Sequence, residues 1–327
     1  MSRHPHQNKP SEALVRQIID FIVASHNPQA NSLTIKFYGG EPLLNFEAIK
    51  TITTTIQELH RTKKITPKPS FSITTNLTLA TTDILNFLIE HHYGMMISLD
   101  GKRATNDQGR GERVFDKVIH NLSYLQAKNA AMELSMTVTP HNIAKFRENW
   151  EFINSLGIPF LWKPDCSQSY SPETLEKLVN DLHACYAKPR NKIHDTSFVR
   201  ISHKRQKKTH CIDPTTLATI DPQGSLLICN RVNDIIGDIW VGYDEKKILA
   251  AENAVPLFGN FIHPECPGCP SYDICKGGCY GVHLEHEEQS EMMHSTYTLN
   301  KTYCTFQHVY NVFLNESKLY HLLEGNA

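Results

Sequence analysis

Residues 33–46 read Leu33-Thr34-Ile35-Lys36-Phe37-Tyr38-Gly39-Gly40-Glu41-Pro42-Leu43-Leu44-Asn45-Phe46. Leu33 to Phe37 reads as a strand, and the glycine pair ends it. Two residues without Cβ let the backbone turn and let a ligand approach it closely. Asn45 is expected to cap the next helix, whose apolar stripe is Phe46, Ile49, Ile52, Ile56 and Leu59. A strand, a tight turn and an amphipathic helix make up the repeating unit of a parallel α/β sheet.

The pattern extends in both directions. Upstream, Ser11 can cap a helix carrying Leu14, Ile18, Phe21 and Ile22. Downstream, strands are expected at Phe71–Thr75, Met95–Leu99, Leu134–Thr139 and Ile158–Trp162. Helices should cover Asp83–Glu90, Glu112–Lys128, a segment bearing Phe146, Trp150 and Ile153, and one announced by Ser171-Pro172. That makes five strands but six helices, beginning with a helix. The expected fold is α/β, a partial (β/α)6 barrel lacking strand 1, with right-handed crossovers and chemistry at the carboxyl ends of the strands. After about residue 200 the alternation stops. A short hairpin is expected at Ala218–Cys229 around Asp221-Pro222-Gln223-Gly224. Two domains are expected, 1–200 and a cysteine-rich 201–327.

The composition is ordinary, with 40% hydrophobic and 20% charged residues and a formal net charge of −1. The short basic run His203–Lys208 reads as a solvated linker face, so no nucleic-acid partner is expected. No apolar run has membrane-spanning length and the polar start lacks a secretory core. A cytoplasmic location with no membrane partner is the expectation.

Three strand ends carry candidate binding groups. The first ends in Gly39-Gly40-Glu41, the next in Thr74-Thr75-Asn76, the third in Ser98-Leu99-Asp100-Gly101 with Arg110 beyond it. A carboxylate beside a glycine pair can take an ammonium group. Each alone could be a bland turn, since Asn, Asp and Ser are ordinary capping residues; the three in this order are harder to dismiss.

Of the nine cysteines, Cys166 and Cys185 stand apart and seven fall between Cys211 and Cys304. Without a secretory segment, disulfides are not expected. Cys266, Cys269, Cys275 and Cys279 form a C-x2-C-x5-C-x3-C array, with Cys211 and Cys229 upstream and Cys304 downstream. A single tetrahedral zinc needs only four donors. Seven thiols suit two cubane clusters, which take up to eight; one zinc is the alternative.

The FYGGEPLL, TTN and SLDG segments resemble the radical S-adenosylmethionine (radical SAM) enzymes that modify peptides and proteins, including anaerobic sulfatase-maturating enzymes. The cysteine order resembles the seven-cysteine signature of the SPASM domain. The motifs cover residues 33–140 and 200–304. The resemblance implies that Gly39, Gly40 and Glu41 meet the amino group of S-adenosylmethionine, that Ser98 and Arg110 meet its ribose and carboxylate, and that Asn76 lies in the same site. It further implies a first auxiliary [4Fe-4S] cluster on Cys211, Cys229 and Cys279, and a second on Cys266, Cys269, Cys275 and Cys304. The fourth ligand of the first cluster stays open among His203, His210, Cys166, Cys185 and none. The implied activity is peptide or protein maturation, with a precursor peptide or protein as substrate and flavodoxin or ferredoxin as electron donor.

Two departures qualify this. No cysteine precedes Cys166, so the family's C-x3-C-x2-C motif is absent. The expectation is a chain missing its first strand and cluster loop, with a third, radical SAM cluster only in a full-length form. The alternative is a catalytically inactive, peptide-binding pseudoenzyme. Sulfatase-maturating relatives also place an aspartate after the cysteine matching Cys229, whereas this chain has Asn230, which is no base at neutral pH. Formylglycine formation is therefore not expected, and the catalytic residues stay unassigned.

Overall fold

The computed structural model describes residues 10–197, 218–229, 232–248, 265–275 and 301–317. Its larger sheet is parallel, in the order β1 (Ser32–Phe37), β2 (Lys68–Thr75), β3 (Gly94–Ser98), β4 (Met132–Val138) and β5 (Phe160–Pro164). Helices alternate with these strands: α1 (Glu12–Ser25), α2 (Phe46–Arg61), α3 (Thr82–Glu90), α4 (Arg103–Arg110), α5 (Val114–Ala127), α6 (Phe146–Ser155) and α7 (Pro172–Tyr186). Neighbours in sequence are neighbours in the sheet, so every crossover has the same simple form.

Local chemistry sets several boundaries. Ser11 Oγ accepts from Leu14 N at 3.1 Å and starts α1. Ser171 Oγ accepts from Thr174 N, with Pro172 at the first helical position of α7. Asn45 makes no capping bond, contrary to the sequence expectation. A 3-10 turn, Pro42–Asn45, leads into α2 instead, and its cap is Glu41. The helix expected at Glu112–Lys128 forms as the unbroken α5, Val114–Ala127, and a further helix the sequence reading did not expect precedes it. The polar segment Arg103–Arg110 forms α4, and positive φ angles at Gly111 (108°) and Arg113 (64°) separate it from α5.

Burial rises across the sheet. Residues of β1 alternate between exposed and half-buried, whereas β4 and β5 are largely buried. Beyond β5 the segment His194–Ser197 continues the parallel order. Phe160 N donates to His194 O at 3.0 Å and Thr196 N to Phe160 O at 2.7 Å. Behind it, buried Asp195 accepts from Trp150 Nε1 at 2.7 Å and from Ser197 N at 2.8 Å. The main core includes Ile56, Ile97, Leu134, Phe146, Trp150 and Phe160, each with no exposed surface. Each such side chain contributes about 1.5–3 kcal/mol by leaving water.

A second sheet is antiparallel, with β6 (Thr219–Ile220), β7 (Ser225–Cys229), β8 (Val232–Asp238) and β9 (Gly242–Tyr243) in sequence order. The expected hairpin is its first turn, where Asp221 Oδ1 accepts from Gln223 N and Ser225 N, both at 2.8 Å. Helix α1 joins the two sheets. Val15 and Ile19 enter the main core, while Leu14 and Phe21 pack with Leu226, Ile236 and Ile239. Gln17 Nε2 donates to Ile239 O at 2.8 Å. The last described helix, α8 (Lys301–Ser317), lies against α7 and sends Phe306, Val309, Tyr310 and Phe313 into the main core. The Tyr310 and Trp162 rings stand 5.2 Å apart. No helix among the described residues is long and apolar enough to cross a membrane.

Candidate functional site

The carboxyl ends of β1, β2 and β3 bring the sequence-expected binding residues to one edge of the sheet. Gly39 and Gly40 follow β1 and are exposed. Gly39 has φ +145°, a conformation that disfavours a side chain, and nothing lies within 4 Å of where a Cβ would sit on either glycine. The open space beside this backbone is room for a ligand. Glu41 turns back toward the sheet. Its Oε1 accepts from Thr75 Oγ1 at 2.7 Å and Leu43 N at 3.1 Å, and its Oε2 accepts from Asn76 N at 2.9 Å. The carboxylate therefore ties the end of β1 to the end of β2. Asn76 in turn folds its own loop, with Oδ1 accepting from Thr78 N and Thr78 Oγ1 at 2.9 and 2.7 Å.

Ser98 is the last residue of β3. Two residues on, buried Asp100 organises the edge. Arg110 Nη2 donates to Asp100 Oδ1 at 2.8 Å, and Thr137 N donates to the same oxygen at 2.8 Å. Arg110 Nε lies 2.8 Å from Asp100 Oδ2 but off the hydrogen-bond axis, so that contact is an ion pair only. Asn106 Oδ1 accepts from Asp100 N at 3.1 Å, while its buried Nδ2 has no hydrogen-bond partner. Gly101 closes the turn at φ +139°, and a Cβ there would stand 2.2 Å from Asn149 Oδ1. Sequence reading singled out Ser98 and Arg110 but not Asp100 or Asn106. Asp100 lay inside a motif already quoted, ten residues from its arginine, but the pairing itself needed α4, which the polar segment did not announce.

The cysteine-rich residues form a second constellation. Cys266, Cys269 and Cys275 lie on a loop and the one-turn helix Tyr272–Cys275, and Cys304 on the first turn of α8. All four line one cavity of about 280 Å³, with Glu265, Ser271, Lys301 and His308. Lys301 Nζ donates to Glu265 Oε2 at 2.6 Å at its rim. Burial first, and then the neighbouring Cys266, raise the Cys304 thiol above its ordinary value. Binding of a metal there must therefore expel the proton. Among the described residues no group of three or more His, Cys, Asp or Glu converges on a point for one ion. The four thiols share the lining of one cavity.

Cys229 ends β7, does not line this cavity, and is buried in the small apolar cluster with Leu14, Phe21 and Cys266. Cys211, Cys279, Asn230, His203 and His210 lie outside the described residues. Cys185 sits in the main core on α7, and Cys166 is buried just beyond β5 with Sγ 3.8 Å from Pro164 O. Sequence reading did not single out His308, whose ring stands between Ser271 and Cys269: Nδ1 is 2.8 Å from Ser271 Oγ and Nε2 is 3.9 Å from Cys269 Sγ. Its only sequence signal is its place four residues after Cys304 on a helix.

No model of a known protein family matches the chain. Two sequence relatives bear on the site. Radical SAM cyclopropyl synthase TigE of Paramaledivibacter caminithermalis is 24% identical over 289 residues, covering 82% of this chain and 58% of that protein. Cysteine-type anaerobic sulfatase-maturating enzyme of Clostridium novyi is 23% identical over 286 residues, covering 77% and 74%. The chain thus spans less than three-fifths of the length of the cyclopropyl synthase. Among solved structures, native anSMEcpe with bound AdoMet superposes with a TM-score of 0.77 at 16% identity, over 97% of this chain and 90% of that one. Its form with bound AdoMet and the Cp18Cys peptide gives 0.69 at 17% identity, over 94% and 92%. The chain is thus similar in sequence to radical SAM enzymes that include a cyclopropyl synthase and a sulfatase-maturating enzyme, and it shares the α/β fold of the solved structures.

Proposed function

We propose that the chain is a radical SAM maturase of the SPASM type, acting on a peptide or protein and holding S-adenosylmethionine at the carboxyl edge of β1–β3. The observation that carries this reading is the meeting of Cys266, Cys269, Cys275 and Cys304 around one cavity, from segments 29 residues apart in sequence between Cys275 and Cys304. These are the four thiols the SPASM resemblance groups into one cluster. When bound, S-adenosylmethionine would supply radical chemistry and the auxiliary clusters one-electron transfer.

The chain's own residues support specific parts. The open backbone at Gly39 and Gly40 can accept an ammonium group through carbonyls, with Glu41 fixing that loop against β2. Arg110 has five N–H donors, and Asp100 engages one face of the guanidinium. The rest of the fork can take a carboxylate, beside the unpartnered Asn106 Nδ2. Cys211, Cys229 and Cys279 would hold the other cluster. A peptide substrate agrees with the maturases among the relatives, including an anSMEcpe structure carrying a peptide; flavodoxin or ferredoxin would supply electrons.

The second reading, a catalytically silent peptide-binding protein of the same fold, is favoured by one fact: no cysteine precedes Cys166. Both readings share the auxiliary clusters and differ in turnover. Iron and acid-labile sulfide in anaerobically purified 327-residue chain should reach about eight of each, the content of two cubanes. A single zinc without sulfide would sink the proposal. Incubation with S-adenosylmethionine and a strong reductant separates the two readings: 5′-deoxyadenosine is expected under the maturase reading and none under the silent one. Its detection would reject the silent reading and require a cluster ligand set other than the three-cysteine motif.

A further inference from the structure

We propose that His308 donates a hydrogen bond to the Cys269 sulfur and thereby sets the reduction potential of the cluster held in the cysteine cavity. The proposal rests on reading that cavity as a cluster site. His308 stands four residues after Cys304 on α8, so both side chains share one helix face, and both line the cavity with Cys269 and Ser271. Ser271 is 1% exposed, and its Oγ holds His308 Nδ1 at 2.8 Å. That contact fixes the ring so that Nε2 faces Cys269 Sγ at 3.9 Å.

The tautomer follows from the chemistry. A metal-bound thiolate can accept but not donate, so Nε2 carries the proton when Cys269 is a ligand. Nδ1 is then the acceptor, and the Ser271 hydroxyl donates to it. The relay runs from the Ser271 hydroxyl through the His308 ring to sulfur. Reduction adds negative charge that is shared onto the cysteine sulfurs. A donor aimed at one sulfur stabilises the reduced form more than the oxidised form and raises the potential. Four thiols already supply a full ligand set, which leaves His308 to position and polarise rather than to bind iron.

The test is an anaerobic potentiometric titration of the full chain followed by electron paramagnetic resonance, with iron and sulfide measured in every sample. The relevant signal is the one lost in Cys304→Ala. His308→Leu should keep its iron and lower the midpoint, with about a tenfold fall in the reduction equilibrium, or about 59 mV for a one-electron couple. His308→Gln, whose amide can still donate, should recover most of the shift. Ser271→Ala, which releases the ring without removing it, should lower the midpoint by less. An unchanged midpoint in iron-replete His308→Leu overturns the proposal. Loss of one cluster's iron in that variant also overturns it, because His308 would then be a ligand or a structural support. Wild-type protein without iron and sulfide would instead fail the cluster reading itself, before His308 is at issue.

Discussion

The two sheets are held by different means. The parallel sheet β1–β5 lies on a continuous hydrocarbon core from Val15 on α1 to Phe313 on α8, in which Cys185 is the one buried cysteine. Among the described residues, the antiparallel sheet β6–β9 packs on a second cluster that includes Cys229 and Cys266. The parallel region thus obtains its stability from packing. The second region has positions where thiols would become metal bonds, and metal binding there is folding free energy. Metal dependence is therefore expected in the second region rather than in the parallel sheet.

The largest break in that comparison is removal of a thiol from the cavity. Cys304→Ala should lose about four of about eight irons. Hydrogen exchange should then rise in 265–275 and β6–β9 while amides of β2–β4 stay protected. Equal loss of protection in both regions would show that the parallel sheet also depends on metal.

Packing should dominate on the other side. Trp150 is fully buried and donates to Asp195, so Trp150→Ala should destabilise the parallel region by about 3–5 kcal/mol. Denaturant unfolding should give the same loss with and without iron. A loss that vanishes in iron-loaded protein would place Trp150 in the metal-dependent part.

Next is the ion pair at the candidate binding edge. Arg110→Ala leaves buried Asp100 uncompensated and should cost about 3 kcal/mol, the lower end for a buried pair because Arg110 is partly exposed. It should also weaken S-adenosylmethionine binding in equilibrium dialysis. Asp100→Asn added to it should restore part of the stability but not the binding. Restoration of binding would mean that Arg110 acts only on its neighbour.

The smallest effect sharpens the comparison through pH. Burial raises the Asp195 carboxyl above its ordinary value, with its hydrogen bonds opposing. Between the unfolded value of about 3.9 and the raised folded value, the native state holds the extra proton. Stability is therefore fully present below about pH 3.9 and falls as pH rises through the folded value, after which it is flat. Asp195→Asn should remove that slope, so wild type should lose stability relative to the variant as pH rises from 4. Urea midpoints at several pH values check it, and the opposite sign would refute it.

Much of the parallel sheet was legible because its signals are local. Alternating strands, periodic helices, Ser11 and Ser171 caps and the Asp221–Gly224 turn lie within a few residues of their effects. Three parts were not legible for physical reasons. Helix α4 has the composition RATNDQGR, polar and with a glycine, and is held by its neighbours rather than by its propensity. The segment His194–Ser197 is too short to announce a strand and pairs through β5. Asn45 had the right residue type for a cap, but Pro42 and Glu41 had already begun a 3-10 turn.

By itself, the sequence determined the alternation of strand and helix, the glycine turn after β1 and the crowding of seven thiols between Cys211 and Cys304, because these depend on side-chain type and spacing alone. Only the tertiary structure decided which groups meet. Glu41 joins the end of β2, Asp100 takes Arg110 with Thr137, α8 returns to the main core, and His308 stands between Ser271 and Cys269. Each is a contact between separate elements, set by sheet order and helix packing, and no local propensity encodes the distance between two side chains that the fold alone brings together.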